Sequence, residues 1–316
     1  MNILEIESLS KTYRRKKTNV PAVRDASFRV QTGSVTALLG PNGAGKTSVV
    51  KMVCDVLTPD AGRVLVNGYE VGKDRRARAS LAAVLEGSRN MYRQLSPTEN
   101  LCFFAGLHGI PHQEAMIRAS RWLKSLGLEE KANVPAETLS RGMQQKLAFG
   151  IAAICDTPLL ILDEPTLGLD VESMAMLREG IVRYSKENGT TVLITTHDMS
   201  LVESICDRAV IMSGGRVLAD RSIEDWREAF RSRAYRISLS QHDPSLLPVL
   251  QTHPSQPIIA ATDDGKLEIS IILEDAVQLY PWMDLLRAHH GMIESIGKEE
   301  TRFEEIFLQV IHKGAI

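Results

Sequence analysis

Continuous apolar runs of strand length recur along the chain, each ending in a polar or glycine-rich turn. Val35 to Leu39, Leu81 to Leu85, Leu159 to Leu162 and Thr190 to Thr196 have this form. Runs that are apolar or β-branched throughout, rather than alternating, predict strands buried on both faces, as in a parallel sheet covered by helices. Ser48 to Val56 reads as a helix, and Gly87 to Asp156 reads as mainly helical, with Pro97, Pro111 and Pro135 as punctuation. Ile3 to Glu7 and Ala26 to Val30 read as strands of a side sheet.

Beyond Trp226 the pattern changes, and a second domain is expected over 231–316. Tyr235, Ile237 and Leu239 alternate with polar residues, as do Leu267, Ile269 and Ile271, so both runs predict half-buried strands. Asp263, Asp264 and Gly265 predict a turn pairing Ile258 to Thr262 with the second run. A short helix is expected near Pro244 to Leu250, and another over Ala276 to His289 with Pro281 either in its first turn or kinking it. Met292 to Ile296 reads as a last strand. Thr301 and Glu304 fit a capping box ahead of the stripe Phe303, Ile306, Phe307 and Val310. The order βαββαβ plus a terminal helix predicts a small α+β domain of ferredoxin-like type.

Two turns carry chemistry. Gly40, Gly45, Lys46 and Thr47 fit G-x-x-x-x-G-K-[ST] between a predicted strand and a predicted helix. In such a loop, here Gly40, Pro41, Asn42, Gly43, Ala44, Gly45, Lys46, Thr47 and Ser48, backbone N–H groups wrap phosphates at the helix N-terminus. Lys46 reaches the outer phosphates, Thr47 offers a hydroxyl to Mg²⁺, and Ser48 is a contact further back. Asp163 and Glu164 follow an apolar strand at the edge where ligands bind in open α/β sheets. Either they cap the next helix, or Asp163 holds Mg²⁺ through its water shell while Glu164 polarises an attacking water. His197 stands just past its strand, on the same edge.

With these loops in this order, the chain resembles the ATP-binding subunit of ABC (ATP-binding-cassette) transporters from about Ile3 to Trp226, and the arrangement of its tail resembles that of exporters for drugs and antibiotics. The resemblance implies an α/β P-loop NTPase fold over 1–228, with a mixed sheet core and a helical subdomain at about 87–156. It also implies ATP and Mg²⁺ as cofactors and ATP hydrolysis shared by two copies of the chain. Leu139 to Met143 matches the family's signature loop, with Ser140 and Gly142 in place and Arg141 and Met143 departing from LSGGQ. Gly168, Leu169 and Asp170 correspond to the loop crossing the dimer seam, His197 to the switch histidine and Tyr13 to the aromatic that stacks on adenine. Glu86 stands where the family usually carries a glutamine that ligands Mg²⁺. Two readings of it stay open: a charged metal ligand partly offset by Arg141 of the other copy, or a surface glutamate. The segment Arg89 to Leu95, with Met91 and Tyr92, either borders the groove that receives a helix of the membrane subunit or is a local loop cluster.

Composition narrows the partners. No apolar run approaches the roughly 18 residues that a membrane span needs, and the start MNILEIESLS lacks a leader pattern. A separate transmembrane permease subunit is therefore expected, with this chain cytoplasmic and peripheral on the inner face of the membrane. Lys and Arg total 37 against 39 Asp and Glu, which gives no long-range pull toward nucleic acid. The run Arg14 to Lys17 is either a solvated loop or a contact for phosphate or anionic lipid. Cys54, Cys102, Cys155 and Cys206 form no C-x-x-C pair and read as reduced core or near-core thiols. A dimeric ABC ATPase with a signalling, repair or translation role is the alternative to transport.

Overall fold

The computed structural model describes residues 1–15, 18–85, 91–231, 234–255, 257–262, 266–273, 275–298, 307–308 and 310–311. The chain forms two compact units, Met1–Ser222 together with Val310–Ile316, and Ile223–Gln309. The first runs through β1 (Asn2–Arg15), β2 (Thr18–Gln31), β3 (Val35–Leu39), α1 (Lys46–Val53), β4 (Ala61–Val66), β5 (Tyr69–Glu70), α2 (Arg75–Ala79) and β6 (Leu81–Val84). It continues through α3 (Pro97–Leu107), α4 (His112–Ser125), α5 (Arg141–Ala153), β7 (Leu159–Asp163), α6 (Val171–Asn188), β8 (Thr191–Thr196), α7 (Met199–Ile205), β9 (Arg208–Ser213) and β10 (Arg216–Ser222).

The continuous apolar runs form the central sheet, in the order β10-β9-β3-β8-β7-β6. Neighbours from β9 to β6 are parallel and β10 is antiparallel at one edge. β3, β7 and β8 are buried along their whole length, which is why their sequences do not alternate. A second, antiparallel sheet has the order β2-β1-β4-β5. Its Leu4, Ile6 and Leu9 share one core cluster with Val49, Val50 and Val53 of α1 and with Leu159 and Ile161 of β7.

β1 and β2 run well past the expected Ile3 to Glu7 and Ala26 to Val30. Irregularities around Ser8 and Asp25, both with positive φ, break the period-2 pattern while the ladder continues beyond them to Arg15 and Thr18. The helix expected over Ser48 to Val56 is α1, which stops at Cys54, before Asp55 turns left-handed at φ 58°. The expected helical region contains α3, opened by a Ser96–Glu99 capping box with Pro97 at its start, and α4 and α5.

The second unit holds α8 (Ile223–Arg231), β11 (Ala234–Gln241), α9 (Leu246–Gln251), β12 (Ile258–Ala261), β13 (Leu267–Ile272), α10 (Leu279–Ala288) and β14 (Met292–Lys298). The strand order β12-β13-β11-β14 is antiparallel throughout, the order of a ferredoxin-like module. Tyr235, Ile237, Leu239, Leu267, Ile269 and Ile271 face the core with Leu246, Leu250, Trp282 and Leu286. Arg236 and Glu268 pair on the other face at 3.6 Å. Pro281 sits in the first turn of α10, where its missing N–H costs nothing. The expected turn at Asp263 to Gly265 and the Thr301–Glu304 capping box lie outside the described residues, whereas Phe307, Leu308, Val310 and Ile311 are helical. Among the described residues no helix is long and apolar enough to cross a membrane.

Candidate functional site

The phosphate loop joins the C-terminal end of β3 to α1. A side chain at Gly40 would press on the Met212 carbonyl oxygen and lie 2.8 Å from Ala44 Cβ. One at Gly45 would collide with the Ala22 carbonyl, and Gly45 caps α1 at φ 103°. No side chain caps this helix, so its first N–H groups are available to an anion. Pro41, Asn42 and Gly43 are exposed, Ala44 is buried, and Thr47 and Ser48 are half-buried. Lys46 is only 6% exposed, and its Nζ donates to the carbonyls of Gly40 at 2.7 Å and Pro41 at 3.4 Å. The Tyr13 hydroxyl lies 3.2 Å from Ser48 Oγ, which fixes an exposed ring beside the loop.

The end of β7 approaches this loop from the neighbouring strands. Asp163 is 2% exposed; Thr195 Oγ1 donates to its Oδ1, while Oδ2 has no hydrogen-bond partner. A buried carboxylate oxygen without a donor is costly, and it has the chemistry to face a hard cation. Glu164 takes a left-handed backbone at φ 50°, unusual for a residue with a Cβ. Its N–H is clamped to the Thr195 carbonyl at 3.0 Å and Thr195 Oγ1 at 3.1 Å, so the register of β8 holds the strain. The bend leaves the carboxylate between two partners. Oε1 lies 3.8 Å from Lys46 Nζ and Oε2 lies 3.0 Å from His197 Nδ1. Since a carboxylate only accepts, Nδ1 carries the hydrogen of that contact. At the end of α1, burial and the nearby Asp163 charge push the Cys54 thiol up to about 12, and just after α5 burial takes Cys155 up to about 11. All four cysteines are free, and these two are inert thiols at neutral pH.

A second cluster forms on the surface. Ser140 caps α5, its Oγ accepting from Met143 N at 3.3 Å, and Asp170 caps α6, accepting from Ser173 N at 2.8 Å and Ser173 Oγ at 3.0 Å. The Ser173 amide, then its hydroxyl, holds the Asp170 carboxyl below its ordinary range. The two caps adjoin: a side chain on Gly142 would sit 2.6 Å from Ser173 Oγ and 3.6 Å from Asp170 Oδ2. Lys46, Asp163, Glu164 and His197 thus gather at one sheet edge, Thr47, Ser48 and Tyr13 line the phosphate loop, and Ser140, Gly142 and Asp170 gather in the surface cluster. Glu86 lies outside the described residues. Arg141, expected to face another copy's Glu86, lies against Gly168 of its own chain.

Two further residues position this site without belonging to any of its motifs. Thr195 is the donor to Asp163 and the clamp on Glu164; it was legible as the residue two before His197 on a strand ending beside the Asp163 strand. Arg178 on α6 donates to Ser200 Oγ at 2.7 Å and Asp198 Oδ2 at 3.4 Å, tying α6 to the turn after His197. Nothing in its sequence context signals that. Asp198 in turn caps α7 through Ser200 N and Leu201 N.

The comparisons with known proteins agree with this geometry. The family model described as ABC transporter matches residues 23–167. Across 98% of both chains, the protein is 36% identical to the linearmycin resistance ATP-binding protein LnrL of Bacillus subtilis (strain 168). It is 32% identical to the ABC transporter ATP-binding protein NatA of the same organism, over 73% of this chain and 94% of that one. A solved ATP-binding subunit of an ABC transporter superposes with a TM-score of 0.65 at 32% identity, covering 72% of this chain and 93% of that one. A phosphate loop, a strained glutamate at the adjacent strand end and full-length likeness to ATP-binding subunits lead to one conclusion: the chain belongs to the ABC transporter family and is one of its ATP-binding, ATP-hydrolysing cassettes.

Proposed function

We propose that two copies of this chain close on two ATP·Mg²⁺ and power export of an antibiotic-like small molecule, peptide or lipid through a separate membrane subunit. The observation that carries the reading is the Lys46–Glu164–His197 chain of contacts at the phosphate-loop edge. The loop N–H groups and Lys46 bind and orient the phosphates, and the Tyr13 ring supports the adenine. Asp163, with its unpaired Oδ2, and the Thr47 hydroxyl hold Mg²⁺. The ion supplies charge neutralisation on the phosphate oxygens. Glu164 takes the proton of the attacking water, with His197 Nδ1–H fixing the orientation of the carboxylate.

Ser140 and Gly142 of one copy, with the Asp170 loop, complete the site of the other. Swinging a closed population from 1:99 to 99:1 takes about 5.5 kcal/mol of ATP binding specific to the closed form. Contacts made only on closure supply it, and the exposed Ser140 cap is suited to make them. A groove of about 850 Å³ between α2, β6, α3 and α5, lined by Leu81, Ala83, Phe104, Leu107 and Ala148 with Arg75 and Arg78 at the α2 wall, suits an amphipathic helix of the membrane subunit. Tyr92 and Phe103, both exposed and packed edge to face at 4.9 Å, extend this surface. Likeness to a linearmycin resistance protein supports the cargo class.

The test is to purify the Glu164→Gln protein and follow dimerisation with and without ATP by light scattering. An ATP-dependent dimer that does not turn over supports the reading; a monomer at saturating ATP refutes it. Export is tested separately by co-purifying the membrane subunit and screening compounds for stimulation of ATP turnover.

A further inference from the structure

We propose that Arg141 is a positioning residue that clasps the loop at Gly168 of its own chain, so that the Ser140 loop and the Asp170 loop reach the other copy's nucleotide as one unit. The proposal rests on the two-copy reading above. The guanidinium covers Gly168 closely: a methyl group there would lie 2.7 Å from Arg141 Cζ, 2.8 Å from Nη1 and 3.0 Å from Nη2. Gly168 has φ 73°, so the loop both turns left-handed and is free of a side chain where the arginine lies. The next turn of α5 brings a second cation against α6, the helix that follows this loop. Lys146 is 8% exposed, its Nζ contacts Met176 Sδ of α6 at 3.0 Å, and its charge acts on Asp170. Gly142, between them in sequence, lies directly against Ser173 and Asp170.

Arg141, Gly142 and Lys146 of α5 therefore hold the segment from Gly168 to Met176. A glycine at position 141, as the family's usual signature would have, could not make the first of these contacts. The clasp answers what the Arg141 departure is for. Its planar group engages its own chain's loop and orders a surface that would otherwise have to be ordered when two copies meet. Ordering before association lowers the cost of closure.

A double-substitution cycle tests this in the full-length protein, using Arg141→Ala, Gly168→Ala and the pair, with ATP turnover measured as maximal rate and as the ATP concentration at half that rate. Alanine at 168 is strained by its backbone whatever its neighbour, so that cost cancels in the cycle and the collision with the guanidinium remains. Arg141→Ala is expected to relieve part of the Gly168→Ala defect, a coupling of about three- to tenfold in maximal rate, with the half-maximal ATP concentration moved less than about twofold. Arg141→Lys keeps the charge but not the planar fork, and is expected to behave like Arg141→Ala. Effects that multiply to within about twofold would overturn the proposal. So would full rescue by lysine, which would make Arg141 a charge facing phosphate. Loss of the ATP-dependent dimer in Glu164→Gln protein would instead sink the two-copy reading, so the two failures are distinguishable.

Discussion

The phosphate-loop cluster and the Ser140–Asp170 cluster are built in opposite ways. In the first, Lys46 and Asp163 are 6% and 2% exposed, and strained Glu164 is clamped by a neighbouring strand. In the second, Ser140, Arg141, Gly168 and Asp170 are exposed and owe their order to helix caps and to contacts between α5 and the loop before α6. In the proposed mechanism the first is a half-site that each copy holds prepared, fixed by the core, and the second is a surface that completes the site of another copy. On that reading burial separates them because groups that act on a phosphate must be preorganised, whereas groups that meet a partner on closure must stay accessible until it happens.

The largest way to break the comparison is at Glu164. Glu164→Gln keeps the shape and the left-handed turn but cannot take a proton. Turnover should fall about 10²- to 10⁴-fold while ATP binding persists. A steady-state phosphate-release assay paired with equilibrium nucleotide binding checks both arms. Near-normal hydrolysis would move the base elsewhere and leave the strain at φ 50° without a role.

Thr195→Val probes what holds the buried half. The substitution keeps the side-chain shape, removes the donor to Asp163 Oδ1 and one of two acceptors for the Glu164 N–H, and leaves both Asp163 oxygens unpaired. A loss of about 1–3 kcal/mol of stability is expected from the abandoned carboxylate. Chemical denaturation of the protein without nucleotide measures it, and added Mg²⁺·ATP should recover part of the loss. Unchanged stability would mean that Asp163 is satisfied some other way.

Tyr13 lies between the two extremes, exposed yet tied to Ser48. Tyr13→Ala should weaken ATP binding by about 1–3 kcal/mol if the ring supports the base. Tyr13→Phe, which loses only the 3.2 Å contact, should cost about two- to threefold in affinity. Calorimetric titration of ATP against GTP ranks these effects, and an alanine variant that binds as tightly as wild type removes Tyr13 from the site.

What was legible in the sequence follows the same divide. Val35 to Leu39 matches β3 residue for residue, and β6, β7 and β8 differ from expectation by one residue at an end, because strands buried on both faces must be apolar throughout. Gly40 and Gly45 of the phosphate loop were readable because close backbone approach leaves no room for a side chain there. Long β1 and β2 were not, since their bulges reset the alternation that marks a strand. Contacts between elements that no motif predicts were hidden. Arg141 on Gly168, Arg178 on Ser200 and Tyr13 on Ser48 join residues 27, 22 and 35 apart with no local pattern to announce them. The ferredoxin-like order of the second unit was legible because clean period-2 strands alternate with short helices around one core.

The smallest expected effect lies where the buried half meets the loop after His197. Asp198 caps α7 and accepts from Arg178, so it couples α6 to that loop. Burial works to raise its carboxyl. Hydrogen bonds from Ser200 and Leu201, with the Arg178 charge, outweigh that and hold it below the ordinary carboxylate range. A carboxyl lowered by folding stabilises the folded state above the unfolded value near pH 4, and that contribution disappears as the pH falls through the folded value. Asp198→Asn keeps a capping oxygen but carries no charge, so the difference between the two proteins isolates the ionised part. Wild type should melt slightly higher than Asp198→Asn from pH 5 to 7, and the gap should close below about pH 4. Thermal melts of both proteins over that range decide it. A gap that widens on acidification would mean that Asp198 is held in its neutral form, and the tie between α6 and the His197 loop would then not be an ionic one.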